Sequence, residues 1–224
     1  QHPDRTGLAA ANIASAAADS LRRLGTDHID VYYAHYDDPR VPLEETAGAF
    51  EELLDAGKIR YVGLSNYSGA RIAEWFAIAQ RDGLTPPAVL QPHYNLLYRT
   101  QYEANLAPVV ARENLAVLPY YSLASGLLTG KYRRHRDVAG TAREAMLTDY
   151  DADRAFAVLD ALDRIAAAHH AAVSAVALAW LRARPHVVAP IASARVPEQL
   201  AALLQSTEIT LSADESAELD RISD

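Results

Sequence analysis

The sequence contains no cysteine among its 224 residues. This absence excludes disulfide bonds, zinc–thiolate sites, iron–sulfur clusters and a cysteine nucleophile. Runs of basic residues are also missing, and 21 Lys and Arg against 29 Asp and Glu give a net charge of −8. Nucleic acids and anionic membrane surfaces both recruit clustered cations, so we expect neither as a partner.

Long hydrophobic runs are absent as well. No apolar stretch approaches the roughly 18 residues of a membrane span, and the first residues lack the apolar core of a signal peptide. The chain begins Gln1-His2, without an initiator methionine. These features fit a cytoplasmic protein, which is the location we expect.

What the sequence does contain is ordinary globular composition, with 50% hydrophobic and 22% charged residues. Short apolar runs rich in Val, Ile, Leu and Tyr recur along it, and such near-continuous runs indicate buried parallel strands. We predict strands at 29–34, 61–65, 89–92, 115–120 and 187–191. The first four begin at residues 29, 61, 89 and 115, so their starts lie 32, 28 and 26 residues apart. That interval fits a strand, a helix and two loops.

Amphipathic stretches with helical spacing lie between and after these strands. We predict helices at 12–24, 43–56, 69–81, 101–113, 155–169 and 173–184, and two short ones after Val196-Pro197 and Ser212. The polar stretch 131–153 is interpreted as a surface loop. The pattern indicates an α/β fold with a parallel sheet, either open or closed into a barrel. Five predicted strands compare with the eight of a closed barrel.

Polar or aromatic residues follow every predicted strand, where active sites of such folds gather. Five segments there, LRRLGTDHIDVYYAHYDD, EELLDAGKIRYVGLSNYS, QPHYNLL, PYYSLASGLLTGKY and PIASARVPEQL, resemble the aldo-keto reductase family in order and spacing. GLLTGKYR is similar to the bacterial members. The resemblance implies a (β/α)8 TIM barrel with about five strand–helix units present. Residues 1–224 would be one N-terminally incomplete barrel domain. It also implies that NADPH, or less often NADH, reduces an aldehyde or ketone to an alcohol.

The resemblance also implies roles for individual residues. His35 matches the catalytic histidine, which hydrogen-bonds the oxygen of a small-molecule carbonyl substrate. Ser65, Asn66 and Gln91 match the residues that bind the nicotinamide carboxamide, a group that needs both donors and acceptors. Strand-end capping is the alternative role of Ser65 and Asn66. Tyr120 matches the aromatic residue that stacks on the nicotinamide ring.

The remaining matches concern the phosphates and the adenine. Leu123, Ser125, Gly126 and Leu128 match the loop beneath the pyrophosphate, and Lys131 follows as a cation near the phosphates. Ser193 and Arg195 match the clamp for the 2′-phosphate at a helix start, where free N–H groups and a guanidinium favour an anion. This clamp implies a preference for NADPH. Gln199 matches the residue at the adenine end, although Leu203 and Leu204 occupy the place of a common asparagine.

The family's catalytic aspartate, tyrosine and lysine have no match in this chain. Tyr32 and Tyr33 do not replace them, and Lys58 lies in a helix-to-strand turn at the opposite barrel face. We therefore expect the 224-residue chain alone to be inactive. The main alternative is a non-catalytic, nucleotide-binding regulatory barrel or an inactive fragment. A metal-dependent hydrolase using His35, Asp37, Asp38 and His93 is disfavoured because its paired-histidine strand is missing, and we expect no metal.

Overall fold

A computed structural model of the chain describes residues 7–132 and 150–224. These residues fall into two compact units. The first contains the chain up to Gln91 together with Asn105–Val117, and the second contains Pro92–Ala104 and Leu118–Asp224. Each unit buries its own set of apolar side chains.

The helices and strands largely follow the predicted order. They are α1 (Ala10–Leu24), β1 (Ile29–Ala34), α2 (Leu43–Asp55), β2 (Ile59–Ser65), α3 (Gly69–Asp82), β3 (Val89–Gln91), α4 (Thr100–Asn105), α5 (Ala107–Glu113), β4 (Ala116–Val117), α6 (Ala152–Ala168), α7 (Val173–Arg182), α8 (Pro197–Leu204) and α9 (Ala213–Ile222). Ala124–Thr129 and Gln205–Thr207 form short 3₁₀ segments.

The first unit contains a parallel sheet of four strands in the order β1-β2-β3-β4. Ala34 pairs with Leu64, Leu64 with Leu90, and Ser65 with Gln91. Because parallel strands run in one direction, the carboxyl ends of β1, β2 and β3 meet at one edge of the sheet. The predicted α/β class with a parallel sheet is confirmed.

Helices α2 and α3 cover one face of this sheet with an aromatic cluster. Phe50 of α2 lies 5.8 Å from Trp75 of α3, measured between ring centroids, and 5.7 Å from Tyr32 of β1. Trp75 is 1% exposed and also contacts Tyr67 edge to face. The predicted cap of α3 is confirmed, because the Ser68 side chain accepts a hydrogen bond from the backbone N–H of Arg71.

The opposite face of the sheet carries Tyr33, whose ring lies directly over its register partner Gly63. A Cβ atom on residue 63 would stand 2.5 Å from the Tyr33 ring. Only glycine leaves this space free, so the sequence of β2 is matched to the side chain of the neighbouring strand.

The second unit is organised around Trp180 of α7, which is fully buried. Its indole Nε1 donates to Asp220 Oδ1 of α9 at 2.7 Å. The Arg184 guanidinium lies 4.6 Å from the ring centroid and also pairs with Asp220. These contacts fix α9 to α7, in addition to the capping box by which Ser212 and Glu215 begin α9.

Two predicted elements differ in the structure. The predicted helix 101–113 is divided into α4 and α5 at Leu106, because Pro108 has no N–H to continue the hydrogen-bond ladder. The predicted fifth strand 187–191 is wrong: within the described residues it forms no named strand. Its Ile191 N–H donates to Pro119 O at 2.8 Å, but Pro190 lacks a donor and Val188 is 62% exposed.

The predicted loop 131–153 is described only at its ends, since residues 133–149 lie outside the described residues. Within the described parts of the chain, no single helix is both long and apolar enough to cross a membrane. Helices α6 and α7 meet that criterion only as a pair, and they are bent by 97° at the break between them.

Candidate functional site

Four of the predicted site residues lie together at the carboxyl edge of the sheet in the first unit. His35 directly follows β1, Ser65 ends β2 and is followed by Asn66, and Gln91 ends β3. Ser65 and Gln91 are register partners. We call His35, Ser65, Asn66 and Gln91 the strand-end row. Parallel pairing explains why residues far apart in the sequence become neighbours here.

Hydrogen bonds connect the members of the strand-end row. Asn66 Nδ2 donates to the main-chain oxygen of His35 at 2.9 Å and to Ser65 Oγ at 3.1 Å. Ser65 Oγ in turn donates to the main-chain oxygen of Gln91 at 2.9 Å. Asn66 has a φ of 58°, a left-handed conformation that asparagine tolerates better than most residues. The row is therefore fixed by the backbone and by its own side chains.

Ser65 and Asn66 do act at a strand end, as the capping alternative requires. A serine hydroxyl and an asparagine amide each combine donor and acceptor capacity, which is the chemistry that a carboxamide requires of its partners. The binding role of these two side chains remains a prediction.

Tyr33 is a neighbour of the row that the sequence analysis did not assign to the site. Its side chain hydrogen-bonds that of Gln91, while burial raises the pKa of the phenol. Tyr33 lies in β1, two residues before His35, which follows the end of the strand. The signal in the sequence was this position of Tyr33 near the carboxyl end of a predicted strand.

Charged residues surround the segment that follows His35. Both carboxylate oxygens of Asp37 accept hydrogen bonds from the Arg71 guanidinium, at 2.8 and 2.9 Å. Asp38 is bound in the same two-pronged way by Arg40, whose hydrogen bonds lower the pKa of Asp38 from 3.8 to about 2. Two carboxylates of the disfavoured hydrolase site are thus paired with arginines.

Among the residues at 7–132 and 150–224, no three His, Asp or Glu side chains form a group that could hold a metal ion.

Lys58 immediately precedes β2, and its main-chain oxygen accepts from the N–H of Ile29 at the start of β1. It therefore lies at the amino ends of these strands, away from the strand-end row.

The second unit contains Tyr120 within a cluster of aromatic rings. The backbone of Tyr120 pairs with that of His93, and the two rings are stacked with centroids 5.4 Å apart. His93 also stacks on Tyr98 at 3.9 Å and contacts Tyr121 edge to face. Tyr120 is half-buried, and its stacking on a nicotinamide ring remains a prediction.

The residues matched to the pyrophosphate loop, Leu123, Ser125, Gly126 and Leu128, lie in or beside the 3₁₀ segment Ala124–Thr129. Ala124, Ser125 and Gly126 have φ values of 47°, 54° and 93°, so three successive residues are left-handed. The N–H groups of Gly126 and Leu128 both donate to Leu123 O, at 2.8 and 3.2 Å. Leu128 is fully buried, and the contact of this loop with a pyrophosphate remains a prediction. Lys131 is exposed, with its amine 4.9 Å from the Tyr132 ring centroid.

The phosphate-side residues Ser193, Arg195 and Gln199 are all exposed. Ser193 and Arg195 precede α8, and Gln199 lies in its first turn. The Gln199 side-chain oxygen accepts from the backbone N–H of Arg195 at 2.8 Å. This bond joins the segment before α8 to the first turn of the helix, so Gln199 has a local structural contact beside the role predicted at the adenine end.

Parallel strand–helix units with polar residues at the carboxyl ends of the strands define an α/β protein of the kind that binds its ligands at that edge. The family model of the Aldo/keto reductase family matches residues 1–224, and the chain belongs to that family. Its (β/α)8 barrel is consistent with the four-stranded parallel sheet observed here.

Curated relatives agree with this assignment. The chain is 35% identical to Aldo-keto reductase YhdN of Bacillus subtilis over 216 residues, which cover 95% of the chain and 63% of that protein. It is 31% identical to a probable voltage-gated potassium channel subunit beta of Oryza sativa, covering 93% of the chain and 65% of the relative. It is 32% identical to L-glyceraldehyde 3-phosphate reductase of Escherichia coli, covering 90% and 60%. The chain spans less than two thirds of the length of these relatives.

Proposed function

We propose that the protein is an oxidoreductase that reduces an aldehyde or ketone to an alcohol with NADPH as the hydride donor. The observation that carries this proposal is the strand-end row, whose hydrogen bonds place His35, Ser65, Asn66 and Gln91 at one edge of the sheet. Family membership and the names of two relatives, an aldo-keto reductase and a glyceraldehyde 3-phosphate reductase, support reductase chemistry in general.

The residues present fit a nicotinamide dinucleotide. Ser65, Asn66 and Gln91 would hold the carboxamide, and Tyr120 would stack on the ring. The loop that contains Ser125 and Gly126 would lie beneath the pyrophosphate, and the Arg195 guanidinium would pair with a 2′-phosphate. Bound NADPH supplies the hydride. His35 would donate a hydrogen bond to the carbonyl oxygen of the substrate, which orients and polarises it.

A second candidate function is a regulatory barrel that binds the nucleotide without turnover. One observation favours it: a relative with 31% identity is named a probable potassium channel subunit beta. The two functions differ in turnover and share nucleotide binding. A cytoplasmic location, where NADPH is available, accompanies either proposal.

A matched pair of asparagines tests the binding role of the strand-end row. Asn66 and Asn114 have φ values of 58° and 54°, but Asn114 lies at the end of α5. Replacing either by alanine costs about 1–2 kcal/mol of left-handed backbone strain. We expect only Asn66→Ala also to lower NADPH affinity, by about 0.5–1.5 kcal/mol for a lost hydrogen bond. Equal affinities of the two variants in a fluorescence titration would contradict the assignment.

Turnover decides between the two functions. The complete protein is supplied with NADPH and a reactive aromatic aldehyde, and NADPH oxidation is followed by absorbance. Oxidation with formation of the alcohol supports the reductase. Tight NADPH binding without oxidation supports the regulatory barrel.

A further inference from the structure

The segment that carries His35 has no regular secondary structure. Residues 35–42 connect β1 to α2 as turns and irregular backbone. The His35 side chain is exposed, and its ring lies 4.5 Å from that of Tyr36. The direction of the imidazole therefore depends on how firmly the backbone of this segment is held.

Two contacts hold this segment to the beginning of α3. The first is the hydrogen bond from Asn66 Nδ2 to the His35 main-chain oxygen at 2.9 Å. The second is the two-pronged ion pair of Arg71 with Asp37, at 2.8 and 2.9 Å. Bidentate pairs fix orientation as well as distance, because both guanidinium N–H groups must face both oxygens. The two contacts lie two residues apart in the His35 segment and five residues apart on the other side, at Asn66 and Arg71.

The Arg71–Asp37 ion pair is more shielded from water than a pair on the surface. The side chains of Arg71 and Asp37 are only 25% and 22% exposed. The Tyr67 hydroxyl is buried and has no hydrogen-bond partner among residues 7–132 and 150–224, and burial together with the nearby Asp37 charge raises its pKa. Glu74 also accepts a hydrogen bond from Arg71 at 2.9 Å. Loss of either member of the pair would leave a partly desolvated charge beside these groups.

We propose that Arg71, through Asp37, is a positioning residue that fixes the His35 segment relative to Ser65 and Asn66. The proposal rests on the proposed function for its consequence in catalysis. Ser65 is held separately, by its bond to the Gln91 main chain within the sheet. Arg71 therefore controls where the histidine meets the substrate oxygen, while Ser65 and Gln91 keep their places and Asn66 retains its bond to Ser65 Oγ.

Variants of this pair are compared with those of a second Arg–Asp pair, which joins β1 to β2. Arg60 of β2 pairs with Asp30 of β1 at 2.5 Å, at the amino ends of the strands and with both side chains more than half exposed. We expect Arg71→Gln and Asp37→Asn each to lower kcat by about 10- to 100-fold, as expected for a misplaced catalytic group. The NADPH dissociation constant should change by less than about twofold. Arg60→Gln should change neither.

The dependence on His35 separates positioning from general damage to the fold. In a His35→Ala background, Arg71→Gln should produce no further loss of kcat, because the group that it positions is gone. An undiminished effect in that background would overturn the proposal, even if thermal stability were unchanged. Arg71→Lys, which retains the charge without the fork, should give an intermediate kcat.

Hydrogen exchange tests the physical link independently of activity. Backbone amides of residues 35–42 should exchange faster in Arg71→Gln than in the wild type or Arg60→Gln, since their tether is lost. Unchanged exchange would refute the proposal, whatever the turnover. If the wild type shows no turnover, the proposed function fails, and the exchange result alone decides whether Arg71 holds the His35 segment.

Discussion

The strand-end row and the phosphate-side residues differ in how the protein holds them. Ser65 is 1% exposed, and hydrogen bonds join it to Asn66 and Gln91 before any ligand is considered. The phosphate-side residues are exposed: Ser193, Arg195 and Gln199. The backbone N–H of Arg195 donates a hydrogen bond to the Gln199 side chain. The row is preorganised by sheet pairing, whereas Arg195 offers a charge on a long side chain. We therefore expect ligand binding at the strand-end row to depend on its geometry, and binding at the phosphate-side residues to depend on their charge.

The largest expected effect concerns the 224-residue chain on its own. We expect no measurable carbonyl reduction, because no residue here matches the family's tyrosine and a positioned proton donor contributes about 10²- to 10⁴-fold. The chain is purified, its association state is checked by size exclusion, and NADPH oxidation is followed with an aromatic aldehyde. Robust turnover would show that the preorganised region also supplies the proton, and Tyr33→Phe would then be the next variant.

Replacement of His35, in the strand-end row, should lower turnover without changing the binding of the cofactor phosphates. We expect His35→Ala in the complete protein to lower kcat by about 10²-fold while NADPH affinity stays nearly constant. His28→Ala is the matched control, because His28 precedes β1 at the other end of the strand. An unchanged kcat for His35→Ala would exclude the catalytic role.

Arg195 tests whether charge governs the second region. Loss of one charge-assisted contact should cost about 1.5–3 kcal/mol of NADPH affinity and little NADH affinity, since only NADPH carries the 2′-phosphate. Fluorescence titrations compare the wild type, Arg195→Ala and Arg112→Ala, which removes an exposed arginine from α5. Equal losses for both cofactors would contradict the clamp. The loss for NADPH should also shrink as salt is added.

The smallest expected effect is on the free energy of unfolding in acid, through Asp38 of the segment 35–42. The pKa of Asp38 is lowered to about 2 in the folded protein, from an ordinary value of 3.8. Its pairing with Arg40 therefore stabilises the fold above the ordinary pKa, and this contribution is lost as pH falls through the folded value. Denaturant titrations between about pH 4 and pH 2 should show a shallower decline for Asp38→Asn than for the wild type. Asp30→Asn is the control, and an identical decline in Asp38→Asn and the wild type would contradict the role of the pair.

The sequence predicted those features of the fold that depend on local pattern. The apolar run 29–34 coincides with β1, and Ser68 caps α3 as expected. The run 187–191 has a similar composition but no neighbour that gives it a ladder within the described residues. A strand needs a partner as well as a pattern, and a single run does not indicate the partner. Pro108 was visible in the sequence and marks the helix break that the periodicity obscured.

The candidate site was predictable to the same degree. Strand ends and the family resemblance indicated His35, Ser65, Asn66 and Gln91, and the sheet brings these four together. Their roles, the NADPH preference and the single-domain organisation remain predictions. The Arg71–Asp37 pair and the contact of Tyr33 with Gly63 join residues 34 and 30 positions apart. Such contacts follow from strand register, which no local pattern specifies.

The chain has two tryptophans, and one lies in each unit. Trp75 contacts aromatic rings of the first unit. In the second unit, Trp180 contacts the Arg184 guanidinium and donates its indole N–H to Asp220. Both are at most 1% exposed, so each should change its emission when its own surroundings open to water. Each of the variants Trp75→Phe and Trp180→Phe retains one tryptophan, so its tryptophan emission reports on the unit that contains that residue. Their melting curves would show whether the two units unfold in one cooperative step or separately.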